Sequence, residues 1–458
     1  MKIINYAFLS FFIFIFIFGE VSSYIVIPFK TFKSTQSIKY NSIAEDFLKT
    51  NLNNTIYIEI EAGIPTQKIP ALILSEEFGF FIVNHKCLIP SSFDTIEKSN
   101  TFWKSELFKK NDKNIIFGND IFEFPTESSS KKQAQLNFVY TPNKNRDKLA
   151  FTCAGVGISG AKYGKNYEKN LVNQLFDENI INNNLFSIIY SKENEGNFLI
   201  GVEPHFLYKN NKNYSEKKLK FINNDNNNNF NFWSLHPNSI SFSFNKTIYN
   251  ITNDLMLTLE YNLGLIYGTN DYLNSIKESY FNKLFSEKKC HEEIIYSVYT
   301  IIYCDKREYI ENFPNLNFYF PEIIFTLNEK DLFLEKNGKF FFGIIFDKNN
   351  QNIWKLGKPF LKKYSFVFDY DMKKIGIYDG QILKENIFKK FSYIILNLLV
   401  TIVISFFCFI GFYYVKKVYN KAINEKVDEY EYKYKSREER AQANSYIEMM
   451  VESKVLEE

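Results

Sequence analysis

The sequence predicts an all-β domain in two halves, followed by a single transmembrane helix. Three observations carry this expectation. From residue 55 onward, strand-length apolar segments rich in Ile, Phe, Tyr and Val recur between Asn, Lys and Gly, the pattern of many short strands with few helices. The Asn-rich stretch 221–232 falls near the middle of that region and reads as a loop joining two halves. The run 391–415 carries no charge and is long enough, at ~1.5 Å per helical residue, to cross ~30 Å of hydrocarbon.

Taken in order, Met1-Lys2, the apolar run 8–18 and the small residues Val21-Ser22-Ser23 read as a secretory signal, 1–23, removed after Ser23. Residues 24–44 are an N-terminal extension. The first half, 45–220, holds strand segments at 55–60, 71–74, 79–83, 136–140, 185–190 and 197–200, with a helix expected at 170–178. After the linker 221–232, the second half, 233–385, holds strands at 239–244, 254–260, 340–346 and 364–370 and a helix at 272–285. Lys389-Lys390 and Lys416-Lys417 bracket the run 391–415. Together with the signal, that run predicts a single-pass type I protein of the cell surface or an endomembrane. Its main domain is luminal or extracellular, and its tail, 416–458, is cytosolic. The tail mixes acids, bases and tyrosines without an apolar heptad, so it is expected to be exposed and partly helical rather than a coiled coil.

Composition narrows the function classes. Lys and Arg number 55 against 52 Asp and Glu, a net charge of +3, which gives no basis for nucleic-acid binding. The basic run Lys217-Lys218-Leu219-Lys220 reads as solvated loop. Cys87, Cys153, Cys290 and Cys304 precede the apolar run and Cys408 lies within it. An even number in an oxidising compartment predicts two bridges, with three connectivities open. No spacing suggests zinc, and His205 and His291 read as surface or loop residues, so no metal or cofactor is expected. Asn53, Asn213, Asn245 and Asn250 each open an Asn-x-Ser/Thr site and are expected to carry glycans on loops.

Several collinear segments carry a resemblance. They are Ala62-Gly63-Ile64-Pro65-Thr66-Gln67-Lys68-Ile69, Gly155-Val156-Gly157-Ile158-Ser159-Gly160, Leu171-Val172-Asn173-Gln174-Leu175 and Asn184-Leu185-Phe186-Ser187 in the first half. The second half adds Leu265-Ile266-Tyr267-Gly268-Thr269-Asn270-Asp271-Tyr272, then Trp354-Lys355-Leu356-Gly357-Lys358-Pro359-Phe360-Leu361-Lys362-Lys363-Tyr364 leading into Val367-Phe368-Asp369-Tyr370-Asp371. In this order they resemble the pepsin-like aspartic protease family, peptidase A1, over residues 50 to 380. The resemblance implies a bilobal fold whose interlobe cleft holds an extended peptide, with one Asp-Thr/Ser-Gly loop from each lobe at the cleft floor. Two carboxylates held that close share a proton, one acting as base toward water and the other as acid toward the scissile carbonyl. It also implies a Cys290–Cys304 disulfide, which leaves Cys87–Cys153 as the second bridge by elimination. Trp354 and Phe360 become core anchors, Asp369 a turn residue, and Phe117 the aromatic nearest to the family's substrate-covering hairpin.

The catalytic loops depart from that family. Counting eleven residues on from Gly63 sets Leu74-Ser75-Glu76-Glu77 where Asp-Thr-Gly-Ser is expected, and the second loop falls on Glu260-Tyr261-Asn262-Leu263-Gly264. Leu74 and Glu260 thus stand at the two catalytic positions, with Glu76, of the same strand parity as Leu74, as the rescue candidate. The expectation is a membrane-tethered, non-catalytic pepsin-like domain that binds a peptide or protein in its cleft or serves structurally. The alternative is an aspartic-type endopeptidase using Glu260 and a non-standard partner carboxylate.

Overall fold

Burial alternates along the strand Thr55–Ala62, where Ile56, Ile58, Ile60 and Ala62 enter the core and Glu59 faces solvent, the period of two that pleating imposes. The next strand, Gln67–Leu74, is buried at every position but Lys68, because it runs inside a sheet covered on both faces. The computed structural model describes residues 23–32, 42–378 with short interruptions (chiefly 84–92, 126–130, 142–152, 160–168 and 224–232) and, with gaps, 405–449. The chain divides into two compact units, Met1–Lys384 and Glu385–Glu458.

Within the first unit, the described strands form sheets of 14, 9 and 4 strands. The largest sheet is shared by both halves of the sequence. Its strand Leu185–Tyr190 pairs antiparallel with Ser365–Asp369, which pairs with Lys374–Tyr378. The expected N-terminal extension supplies Ile25–Phe32, which lies between Glu195–Ile200 and Thr55–Ala62. Part of the expected linker is also strand, since Lys220–Asn223 pairs with Lys374–Tyr378. Phe186 stacks on Phe368 at 4.6 Å between ring centres, and Trp233 and Tyr370 pack beside them.

Two parallel pairings repeat in the two halves. Gln67–Leu74 runs beside Ala154–Gly157, with Leu74 opposite Gly157. Met256–Leu259 runs beside Ile353–Leu356, with Leu259 opposite Leu356. Each pairing carries a chain to the point where a loop begins, at residue 75 in one half and at residue 260 in the other.

Two expectations are corrected. The fold is mixed α/β rather than all-β, since 28% of the described residues are helix and 44% strand. Expected helices are present at Leu171–Asp177 and along 270–286, and polar caps start others that period-two reading overlooks. Ser42 accepts from Glu45 N and begins Ile43–Asn51, and Asn328 makes a capping box that begins Glu329–Leu332. The second unit adds further helix: its described residues from 405 onward are helical and nearly all exposed. The second correction concerns the tether. Among the described residues no helix is long and apolar enough to cross a membrane, and positions 391–404 of the expected span lie outside them. The transmembrane helix at 391–415, the membrane as a partner and the single-pass type I topology are therefore not supported. Residues 1–22 of the expected signal, 1–23, also lie outside the described residues.

Cys290 and Cys304 are joined by a disulfide, facing each other across the strands Cys290–Ile295 and Tyr299–Cys304. Cys153 is disulfide-bonded; its expected partner, Cys87, lies outside the described residues. Beside the Cys290–Cys304 hairpin, Asp305 accepts from Lys339 Nζ at 2.6 Å and meets His291 Nε2 at 3.2 Å.

Replacing Cys290 and Cys304 together with serine should lower unfolding stability by about 3 kcal/mol, the loop-closure entropy expected for a bridge of this span, read from urea transitions. A pH effect follows from Asp305. The Lys339 ammonium, and after it His291, hold its carboxyl below the ordinary Asp value despite partial burial. A depressed folded pKa contributes stability that is present above the unfolded value of ~3.9 and is lost as pH falls through the folded value. Asp305→Asn should lower stability at pH 6 and narrow its deficit against the natural chain below pH 4.

Candidate functional site

Strand ends fix the two loops before side chains are considered. Ile158 N donates to Leu74 O at 3.0 Å, and Glu260 N donates to Leu356 O at 3.0 Å. In each half, the backbone is therefore pinned at the step from strand into loop. Ser75 follows Leu74 as Glu260 follows Leu259, and the two side chains meet. Ser75 Oγ donates to Glu260 Oε2 at 2.8 Å, with each residue 7% exposed.

Close backbone approach holds both loops. In the first, Gly157 N donates to Gly79 O at 2.8 Å and Ser159 N to Glu77 O at 3.1 Å. A Cβ on Gly157 would lie 2.6 Å from Glu77 O and 2.7 Å from Gly79 O, so only glycine fits. In the second, a Cβ on Gly357 would lie 2.0 Å from Leu265 O, and one on Gly264 2.0 Å from Asn51 O. The second loop is also clamped by the chain leaving the Ile43–Asn51 helix. Asn54 N donates to Asn262 O at 2.8 Å, Asn54 Nδ2 to Tyr261 O at 2.9 Å, and Gly264 N to Leu52 O at 2.9 Å. Asn54 Nδ2 also reaches the Tyr190 hydroxyl at 2.7 Å, and burial pushes both Tyr190 and Tyr261 above the ordinary phenol value. Across the halves, the Ile158 carbonyl accepts from Trp233 Nε1 at 2.7 Å and from the Tyr370 hydroxyl at 3.0 Å.

The structure brings Glu260 to the site and sets Leu74 elsewhere. Leu74 ends its strand and packs with Leu72, Phe81 and Val83 in a small separate cluster. Glu76 lies outside the described residues. Ser75, one residue beyond the counted position, is the group that sequence reasoning missed. The signal was strand parity: Ile69, Ala71 and Ile73 share the main core, and Ser75 continues their face. Trp354 and Phe360 are buried core residues, and Phe117 is a buried member of the long strand Lys113–Pro125. Asp369 closes its strand and accepts from Met372 N at 2.7 Å, and burial raises its carboxyl above the usual range. His205 is buried rather than at the surface, with Nδ1 2.6 Å from the Tyr378 hydroxyl. Asn250 is exposed on an edge strand; Asn53, Asn213 and Asn245 lie outside the described residues. Among the described residues no group of His, Cys, Asp or Glu could hold a metal ion.

The family described as eukaryotic aspartyl protease matches residues 131–379, including the Glu260 loop and beginning after the Ser75 loop. No curated protein matches the chain.

Ser75→Ala removes the hydroxyl that serves a buried carboxylate and should destabilise the domain by about 1–3 kcal/mol, measured by urea unfolding at pH 7. Ser75→Thr, which keeps the hydroxyl, should recover part of the loss.

Proposed function

The chain belongs to the eukaryotic aspartyl protease family, and from that premise we propose that it keeps the scaffold without the two-carboxylate chemistry. It acts as a non-catalytic module that recognises a peptide or protein segment. The observation that supports this reading is the Ser75–Glu260 contact itself. Shared-proton hydrolysis needs one group able to take a proton from water while its neighbour gives one to the carbonyl. A serine hydroxyl does neither near neutral or acid pH, and here its hydrogen is directed at the Glu260 carboxylate. Of this pair only Glu260 titrates in that range, and one carboxylate cannot be base and acid in the same step. Its side chain is also one methylene longer than aspartate, a displacement of ~1.5 Å, and errors of about 1 Å in a reacting group can cost ~100-fold in rate.

A hydroxyl beside a carboxylate also has the outline of a nucleophile and its base. Against that use, both groups are buried and the hydroxyl serves as the carboxylate's donor. The binding role draws on what is retained: parallel-paired loops, close-approach glycines and the braces between halves.

The test is a generic peptide library incubated with the purified protein from pH 3 to 6, beside Glu260→Gln. The expected result is no cleavage by either protein, together with retained binding of a subset of peptides. Cleavage by the natural chain that vanishes in Glu260→Gln would overturn the non-catalytic reading. Labelling of Ser75 by a serine-directed fluorophosphonate would overturn it in favour of nucleophilic chemistry. Ser75→Asp or Glu260→Asp alone should stay silent, since neither recreates a matched pair of aspartates.

A further inference from the structure

A cavity of about 700 Å³ opens where the two halves meet, away from the Ser75–Glu260 contact but sharing Gly264 with the second floor loop. Its walls carry more positive than negative charge. Lys330 and Asp331 come from the helix Glu329–Leu332, and Lys358, Lys362 and Lys363 from the helix Lys358–Lys363. Glu193 reaches in from the turn between Leu185–Tyr190 and Glu195–Ile200.

The charges do not balance. Glu193 serves two lysines at once, with Lys358 Nζ at 3.0 Å and Lys362 also in contact. Asp331 accepts from Lys363 Nζ at 2.6 Å. The Lys330 ammonium has no ion-pair partner among the described residues. Among the described lining residues four lysines thus stand against two carboxylates, an excess of two positive charges. Lys358 is the most enclosed, its side chain 11% exposed, and besides Glu193 it donates to Asn194 Oδ1 at 3.0 Å. The wall also carries Thr31, whose hydroxyl is buried without a hydrogen-bond partner. The volume lies within the range of small-molecule sites, and the lining contains no arginine that would select a planar carboxylate by a two-point fork.

We infer that this cavity binds a small phosphate-bearing anion, whose charge of about −1.5 to −2 at neutral pH matches the excess of two lysines. The ammonium groups of Lys330 and Lys362 take its oxygens, and Glu193 competes with it for Lys358 and Lys362. Because Glu193 belongs to the first half and the lysines to the second, an anion seated there engages the partners of an existing bridge between halves. The inference is independent of the state of Glu260.

The experiment is equilibrium dialysis of the full chain against inorganic phosphate at low, matched ionic strength, with sulfate and succinate as parallel probes. Saturable binding of one phosphate per chain is expected. It should weaken at least tenfold in the Lys330→Gln, Lys362→Gln double variant and tighten severalfold in Glu193→Gln. Glu260→Gln should bind as the natural chain does, which separates this result from any outcome at the cleft floor. Circular dichroism and urea midpoints confirm that each variant is folded, and the opposite direction expected of Glu193→Gln cannot arise from unfolding. Absence of saturable binding, equal affinity in natural chain and double variant, or tighter binding of succinate than of phosphate would each overturn the phosphate site.

Discussion

A carboxylate taken out of water must be given donors, and in this protein that requirement falls on Glu260. Two parallel strand pairs deliver one residue each to the same place, and the residue opposite Glu260 is Ser75. The hydroxyl gives the carboxylate a partner that carries no charge. Two carboxylates there would have to share a proton, whereas a hydroxyl donates to one carboxylate without adding a like charge. A serine opposite Glu260 makes the buried contact undemanding.

That contact is useful only if both loops are held in register, and much of the surrounding structure does this. Gly157, Gly264 and Gly357 stand where any Cβ would strike a carbonyl oxygen of the facing backbone. Asn54 grips three successive parts of the structure, the carbonyls of Tyr261 and Asn262 and the Tyr190 hydroxyl. Trp233 and Tyr370 from the second half both donate to the carbonyl of Ile158 in the first. The shared sheet extends this brace, since Ser365–Asp369 is hydrogen-bonded to Leu185–Tyr190. Buried donors and acceptors left unpaired cost about 1–3 kcal/mol each, so these cross-half bonds resist separation more than their net worth suggests. The Glu193 bridges to Lys358 and Lys362 lie on the same seam, although Glu193 is too exposed for them to weigh comparably.

Much of the fold was legible because its signals are local. Alternating Ile and Glu in 55–62 and the Trp354–Tyr364 block both lie within a few residues of what they determine. The candidate site was legible only in part. Glu260 was found because its loop keeps the family spacing to Gly268, whereas the first loop gave Leu74 by counting. A strand has a side-chain period of two, so an offset of one residue moves the selected group to the opposite face. Burial separates the two directly: Leu74 joins Leu72, Phe81 and Val83, and Ser75 turns to Glu260. His205 was misread for a related reason. Its burial depends on Tyr378, a residue 173 positions away, and no local pattern encodes that.

By itself the sequence determined many of the strand segments, the glycines that interrupt them, that two floor loops exist, and that neither carries aspartate at its expected place. These are short-range properties of periodicity, backbone freedom and side-chain chemistry. Tertiary structure alone decided that Ser75 faces Glu260, that residues 25–32 lie inside the largest sheet, and that four lysines and two carboxylates border one cavity. Each of these joins residues far apart in the chain. Such pairings are chosen by register and by the satisfaction of buried polar groups across the whole domain, so they exist only once the halves have closed on each other.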